Sequence, residues 1–167
     1  MTLPSAASEP KHGAAVFAEP CAVCHQADGR GKRPESKEAA EQRHRYQLPP
    51  LWGLESDDDG AGIARPITPA NFIRANMPFG TDSAHPVMSV QNAFGVAAFI
   101  DSHPRPRRLG NERDFPGRAL KRAAATYPPF LGPFPPSQHL PGPWQPIRQL
   151  EKDNEQMLRR HFAAPGR

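Results

Sequence analysis

One five-residue stretch, Cys21-Ala22-Val23-Cys24-His25, constrains this chain more than any other part of its sequence. Two cysteines three positions apart, followed at once by a histidine, have the spacing used for covalent attachment of a c-type haem. Thiols on one tight turn can each form a thioether with one of the two haem vinyl groups, and the neutral imidazole that follows is a good axial iron ligand. The motif therefore predicts one haem c, bound covalently through Cys21 and Cys24, with His25 as an axial ligand.

Three other interpretations of the motif compete with haem. A thioredoxin-type redox pair would need a preceding strand and a βαβ setting, and neither is visible in this sequence. Half of a zinc site would need two more ligands at short spacing, but the chain has only two cysteines and its other histidines are scattered singly. A non-haem binding domain with a coincidental motif stays open as an alternative of a different class. The other histidines are His12, His44, His85, His103, His139 and His161.

The composition suits a small protein that packs around a bound apolar group. The chain has 167 residues, of which 22 are proline, and its mean hydropathy is −0.67. Such a lean apolar content predicts one domain, or one domain with an extended tail, in which a porphyrin supplies part of the interior. The net charge of +4 favours a redox partner protein with an acidic docking surface. No stretch is apolar enough to cross a membrane and no nucleic-acid-binding motif is present, so we expect neither kind of partner.

The first ten residues do not look like an export signal. They are small and polar, without the basic and apolar regions of a secretory leader, and we expect residues 1–10 to be disordered. Covalent haem attachment in bacteria nevertheless takes place outside the cytoplasm, so a haem c predicts a periplasmic or otherwise extracytoplasmic location. Either a signal was removed, or the sequence is a fragment, or its start is set wrongly.

Two segments have the patterns of helices that pack on each other. Residues 11–20 predict a short helix that leads into the motif, with Gly13 and Phe17 on the same face. Residues 90–102 predict the best-defined helix of the chain, with Ser89 as its N-cap and a broad apolar face. Because a glycine permits close approach of another helix, we expect these two helices to cross near Gly13 and Phe17.

An apolar loop, residues 46–53, is a candidate for contact with the haem. Two adjacent prolines exclude a helix interior there, because they remove backbone donors and fix φ. An extended apolar loop has to lie against something, and a haem face or edge is the natural partner. We therefore predict haem packing for Leu51 and Trp52, and contacts of the polar tips of Tyr46 and Trp52 with the haem propionates. Anchoring of the loop in the protein core is the alternative for each of these residues.

Two methionines are candidates for the second axial ligand. Thr68 is a suitable N-cap for a helix over residues 69–75, which ends before a bend that contains Met77. A thioether on a short bend between proline and glycine can reach the iron from the side opposite the histidine, and thioether ligation favours the ferrous state. We therefore predict Met77 as the distal ligand, with Phe79 packing against the haem. Met88 is the rival ligand, and a methionine can also simply fill the core.

Charge and proline distinguish two further segments. Residues 32–45 are rich in Lys, Arg and Glu and predict a solvated surface insertion. Residues 107–167 are rich in proline but also contain aromatic residues, which a flexible linker would lack. We expect this long extension to be ordered by wrapping around the domain, with a closing helix over residues 151–162 and a frayed end.

These features, in this order, resemble a class I c-type cytochrome domain. The likeness is greatest to the cytochrome c-like domains of thiosulfate dehydrogenase-type dihaem cytochromes, and it covers about residues 11–150. It implies an all-α, small cytochrome c fold, with three to four helices around one haem in residues 11–106 and the proline-rich extension packed on that domain. The likeness is carried by residues 46–53, 71–80, 96–106, 114–116 and 142–144.

The resemblance also has consequences for function. It implies that Cys21 and Cys24 hold the haem and that His25 and Met77 are its axial ligands. Dihaem members carry a second haem-binding domain, whereas this sequence has a single motif, and no further cysteine remains to serve as an iron ligand. We therefore expect electron transfer through one haem, by an electron-transfer protein or module rather than a stand-alone enzyme.

The alternative function is the haem domain of an oxidoreductase that acts on a small sulfur anion such as thiosulfate. In that case Arg65, Arg74 or another basic residue would attract the anion. Thiosulfate-dependent reduction of an electron acceptor by the isolated chain would distinguish this alternative from a pure carrier.

Overall fold

The computed structural model describes residues 1–35, 46–115 and 117–163. The described residues contain no strand beyond an isolated bridge between Lys32 and Leu48, so the predicted all-α class is confirmed. Most of the predicted surface insertion, residues 36–45, lies outside the described residues. Among the helices of the described part, none is both long enough and apolar enough to span a membrane. The α-helices are α1 (Pro10–Phe17), α2 (Ala22–His25), α3 (Ile67–Asn76), α4 (Val90–Asp101), α5 (Pro136–His139) and α6 (Gln145–Ala163).

Helices α1 and α4 cross at a pair of glycines, as the sequence predicted. A Cβ atom on Gly13 would lie 1.9 Å from the carbonyl oxygen of Gly95, so only glycine permits this approach of the two backbones. One turn further along, the rings of Phe17 and Phe99 lie 5.3 Å apart between their centroids. Phe17 is 2 % exposed. The crossing therefore buries the face that the two helices share and forms the centre of the core.

The starts of α4 and α3 differ in how well the sequence predicted them. Ser89 caps α4 as expected, because its Oγ accepts a hydrogen bond of 3.1 Å from the backbone N–H of Asn92. Helix α3 begins earlier than predicted, since Pro66 precedes its first residue and Thr68 already lies in the first turn. The predicted cap was wrong because the chain turns before Thr68, whose backbone N–H donates to the carbonyl of Arg65 at 2.8 Å.

The C-terminal extension contributes large side chains to the same core. Trp144 is fully buried, and its ring centroid lies 5.3 Å from that of Phe94 in α4. Its indole N–H donates to the carbonyl of His139 at 3.1 Å. Leu131 and Ile147 are buried in the same cluster. The closing helix, α6, starts earlier than the predicted residue 151 and is 19 residues long.

The first residues of the chain lie along this extension. The sequence predicted disorder for residues 1–10, whereas Ser8 is 2 % exposed and its backbone N–H donates to the carbonyl of Pro141 at 2.7 Å. The side-chain amide of Gln145 also donates to the carbonyl of Leu3 at 3.3 Å. These contacts use the backbone of a segment without apolar periodicity, so a sequence pattern does not reveal them.

Candidate functional site

The predicted haem-attachment motif forms one helical turn shortly after α1. Cys21 is the N-cap of α2, and its carbonyl accepts hydrogen bonds from the backbone N–H groups of Cys24 at 3.2 Å and His25 at 2.9 Å. Both cysteines are free rather than joined in a disulfide. The turn therefore brings two free thiols and one imidazole into a single short segment.

Burial shifts the pKa values of Cys21 and His25. It raises the pKa of the Cys21 thiol to about 11, with a smaller contribution from the charge of Cys24. A thiol with this pKa stays protonated at neutral pH, unlike the low-pKa cysteine of a thioredoxin-type pair. Burial also lowers the pKa of His25 and so favours the neutral imidazole that ligates iron. The buried Nδ1 of His25 has no hydrogen-bond partner in the described part of the chain. Two unpaired thiols and a neutral imidazole on one turn fit a covalently bound haem.

The apolar loop 46–53 lies directly on the loop that follows the motif. The backbone N–H of Leu51 donates to the carbonyl of Gly29 at 2.8 Å. Gly29 has a φ of 65°, and a Cβ on it would lie 2.3 Å from the indole of Trp52. Both the backbone conformation and the close approach require glycine there. The structure thus brings Leu51 and Trp52 next to the segment that begins after His25.

An aromatic cluster that the sequence did not reveal holds Trp52. The indole is 9 % exposed and stacks on the ring of His103, with 4.1 Å between centroids and 17° between planes. The ring of Phe99 lies edge-on to the indole at 5.6 Å, and that of Phe17 lies at 5.5 Å. Trp52 therefore anchors the apolar loop to the α1–α4 core, and its contact with a haem stays a prediction. His103 carries no sequence signal for this role, because a lone histidine at a helix end is uninformative.

The hydroxyl group of Tyr46 has protein partners in the structure. It bonds to the carboxylate of Glu55 and accepts a hydrogen bond of 3.1 Å from the guanidinium group of Arg33. Arg33 also donates to the Glu55 carboxylate at 2.7 Å. Contact between Tyr46 and a haem propionate, as predicted from the sequence, would have to be made beside these bonds.

The two candidate methionines differ in their environments. Met77 is the C-cap of α3, its backbone N–H donates to the carbonyl of Ile73 at 2.9 Å, and its half-buried side chain packs on the edge of the core. Met88 is 5 % exposed and belongs to the core cluster itself. On the segment between them, Phe79 is 98 % exposed and Val87 is 71 % exposed. Met88 thus has the surroundings of a core-filling side chain, whereas Met77 begins a segment on which Phe79 and Val87 are exposed.

The two arginines considered as anion-attracting groups are also in different situations. The guanidinium group of Arg74 donates to the backbone carbonyl of Met88. Arg65 lies before α3, and its Nε is buried without a hydrogen-bond partner among the described residues. Arg74 therefore contacts the backbone, whereas the Arg65 side chain hydrogen-bonds to Tyr127 and only its Nε lacks a partner among the described residues.

Comparison with known proteins identifies the family to which these features belong. The cytochrome c family matches residues 10–104, which is more than half of the chain. This chain belongs to the cytochrome c family. Membership confirms the resemblance and the fold class inferred from the sequence, and it implies electron transfer as the function of the domain.

Individual relatives are thiosulfate dehydrogenases, and the chain matches a part of each. It is 41 % identical over 95 residues to that of Allochromatium vinosum and 40 % identical over 95 residues to that of Stutzerimonas stutzeri. Each match covers 57 % of this chain, but 32 % and 27 % of the respective relative. The solved structure of thiosulfate dehydrogenase (TsdBA) from Marichromatium purpuratum, in its as-isolated form, aligns at 35 % identity with a TM-score of 0.57. That alignment covers 80 % of this chain and 25 % of the solved chain, so this chain spans about a third or less of the length of these relatives.

Proposed function

We propose that this chain is an electron-transfer module with a single, covalently bound haem c. Cys21 and Cys24 would bind the haem through thioethers, and His25 and Met77 would be the axial ligands. The observation that carries the proposal is the single turn on which two free thiols and a half-buried, neutral imidazole lie together. One haem corresponds to the one Cys-x-x-Cys-His motif in this sequence.

The residues around the site would determine how the module works. When bound, the haem iron supplies a reversible one-electron couple. His25 and Met77 would occupy both axial positions and leave no place for a substrate at the metal. Leu51 and Phe79 would exclude water from the site, and together with the thioether of Met77 they would favour the reduced state.

Location and partner follow from the same proposal. Haem c is attached outside the bacterial cytoplasm, so the module would work in the periplasm or another extracytoplasmic compartment. Its partner would be a redox protein. The net charge of +4 supports an acidic docking surface on that partner, because opposite charges guide association.

The methionine-to-iron charge-transfer band of the oxidised protein tests the ligand assignment, after expression in a host that attaches haem c. We expect this band to disappear in Met77→Ala and to persist in Met88→Ala, the matched control that removes the rival thioether. The reverse pattern would make Met88 the ligand. A wild-type protein that carries no covalent haem would overturn the whole proposal.

A second candidate function is favoured by the names of the relatives. The chain would then be the haem domain of an oxidoreductase that acts on a small sulfur anion such as thiosulfate, and the positive charge of Arg65 would attract the anion. The isolated chain should in that case reduce an artificial electron acceptor when thiosulfate is added. Turnover that is lost in Arg65→Met but kept in Arg107→Met would favour this function, whereas a pure carrier shows no turnover.

A further inference from the structure

Arg74 lies in α3, one turn before the predicted ligand Met77, and its guanidinium group reaches across to the segment before α4. We propose that Arg74 is a positioning residue, which holds Met77 at the iron by closing the base of the loop formed by residues 77–88. The proposal rests on the proposed ligation by Met77 and adds the contact that keeps this ligand in place.

The geometry of the loop supports this role. The loop leaves α3 at Met77, whose backbone N–H donates to the carbonyl of Ile73 at 2.9 Å. It returns at Met88, directly before the N-cap residue Ser89. The guanidinium group of Arg74 donates to the carbonyl of Met88 and so connects the two ends. Among the hydrogen bonds found for the described residues, only these two bonds, at Met77 and Met88, connect the loop to other elements.

The loop makes few contacts with the rest of the protein between its two ends. Phe79 is 98 % exposed and Val87 is 71 % exposed, so these side chains add little apolar packing, and the other loop residues between Met77 and Met88 are at most half-buried. The hydrogen bonds of Asp82 are local, because its carboxylate accepts from the backbone N–H groups of Ala84 and His85, each at 2.8 Å. A segment with few buried contacts opens easily, and its closure therefore depends on the bonds at its ends.

The bond from Arg74 is of a kind that can carry such a role. The donor is charged, Arg74 is half-buried, and Met88 is 5 % exposed, so water competes weakly for the carbonyl. Loss of a hydrogen bond with one charged partner shifts an opening equilibrium by about ten-fold or more. Opening of the loop would carry Met77 away from the iron.

Cyanide binding to the ferric, haem-loaded protein measures this opening, because cyanide has to displace the methionine. We expect Arg74→Met to bind cyanide about ten-fold more tightly than wild type, or more. Arg107→Met is the matched control, since Arg107 is exposed on the segment after α4, and it should keep the wild-type affinity. Unchanged cyanide affinity in Arg74→Met would overturn the proposal. This holds even if the variant loses a response to thiosulfate, because such a loss would indicate a role in anion binding rather than in loop closure.

The same substitution in a Met77→Ala background separates loop closure from general loosening. Met77→Ala should bind cyanide more tightly than wild type, and Arg74→Met should then add less than about two-fold. An equal gain in both backgrounds would mean general loosening and would overturn the proposal. If Met77→Ala leaves both the affinity and the charge-transfer band unchanged, the ligation by Met77 fails and the role of Arg74 fails with it. If only the Arg74 variants behave like wild type, the ligation stands and the positioning role alone is lost.

A second variant tests the proposal if the Arg74→Met protein does not accumulate with haem. Arg74→Gln keeps a donor, but its amide is neutral and shorter than the guanidinium group. We expect its cyanide affinity to be higher than that of wild type. Wild-type affinity in Arg74→Gln would overturn the proposal in that case.

Discussion

Two regions of this molecule contain similar apolar side chains but place them in opposite environments. Where α1 and α4 cross, Phe17 is 2 % exposed and the backbones meet at Gly13. On the segments that carry the predicted haem ligands, Val23 is 83 % exposed and Phe79 is 98 % exposed. In the first region the protein itself buries the apolar side chains, whereas in the second region these side chains are exposed.

This difference indicates where a haem would lie. Single exposed apolar residues are common on protein surfaces, but here they stand beside both predicted axial ligands. Val23 is two positions before His25, and Phe79 is two positions after Met77. A porphyrin placed between these two segments would cover side chains that the protein leaves exposed. Under the proposed function, the haem would therefore complete the apolar interior of this chain.

Disruption of the helix crossing should have the largest effect on stability. Gly13→Ala would place a Cβ 1.9 Å from a carbonyl oxygen of α4, and we expect it to lower the free energy of unfolding by about 4 kcal/mol or more. Gly62→Ala is the matched control, because no atom lies within 4 Å of a Cβ built there. Urea unfolding of the haem-loaded proteins measures both changes. A Gly13→Ala protein as stable as wild type would show that the crossing does not need this glycine.

A smaller change in the unfolding free energy should distinguish an exposed apolar residue that the haem covers from one that it does not cover. Phe79 and Leu109 are 98 % and 90 % exposed in the protein alone. If the haem covers Phe79, Phe79→Ala should lower the unfolding free energy of the haem-loaded protein by about 1–2 kcal/mol. Leu109→Ala should change it by less than about 0.5 kcal/mol. Equal, small effects in urea unfolding would mean that the haem does not cover Phe79.

A pH-dependent effect concerns a buried amine in the extension. Lys121 is fully buried, its Nζ lies 3.5 Å from the ring centroid of Tyr127, and it has no hydrogen-bond partner among the described residues. Burial lowers the pKa of Lys121 from 10.5 to about 8. Between these pH values the unfolded chain binds a proton that the folded chain lacks, so this residue makes stability rise with pH. We expect a smaller rise for Lys121→Met in urea unfolding between pH 8 and pH 10.5, and equal slopes would contradict the lowered pKa.

Much of the fold could be predicted because its signals are local. The spacing of Gly13 and Phe17 and the cap at Ser89 lie within single helices, and both predictions were confirmed. The cap at Thr68 was predicted wrongly, since an earlier turn had already started the helix. The contacts of residues 1–10 could not be predicted, because they join the two ends of the chain through backbone groups.

In the candidate site, too, local features could be predicted from the sequence and contacts between distant segments could not. The turn of Cys21 to His25 follows from five adjacent residues. The partners of Tyr46 and Arg74 could not be predicted, because they lie on other loops and one of them is a backbone carbonyl. Such pairs leave no periodic pattern in a sequence, so only the structure shows that Arg74 contacts a backbone group.

The proposed function depends on covalent binding of one haem by Cys21 and Cys24. It is tested most directly by the mass of the denatured protein, isolated from a host that attaches haem c, together with a haem stain after denaturing electrophoresis. We predict a stained band and the mass of the chain plus one haem for wild type, and neither for the double variant Cys21→Ala/Cys24→Ala. An unstained wild-type protein with the mass of the chain alone would contradict the claim.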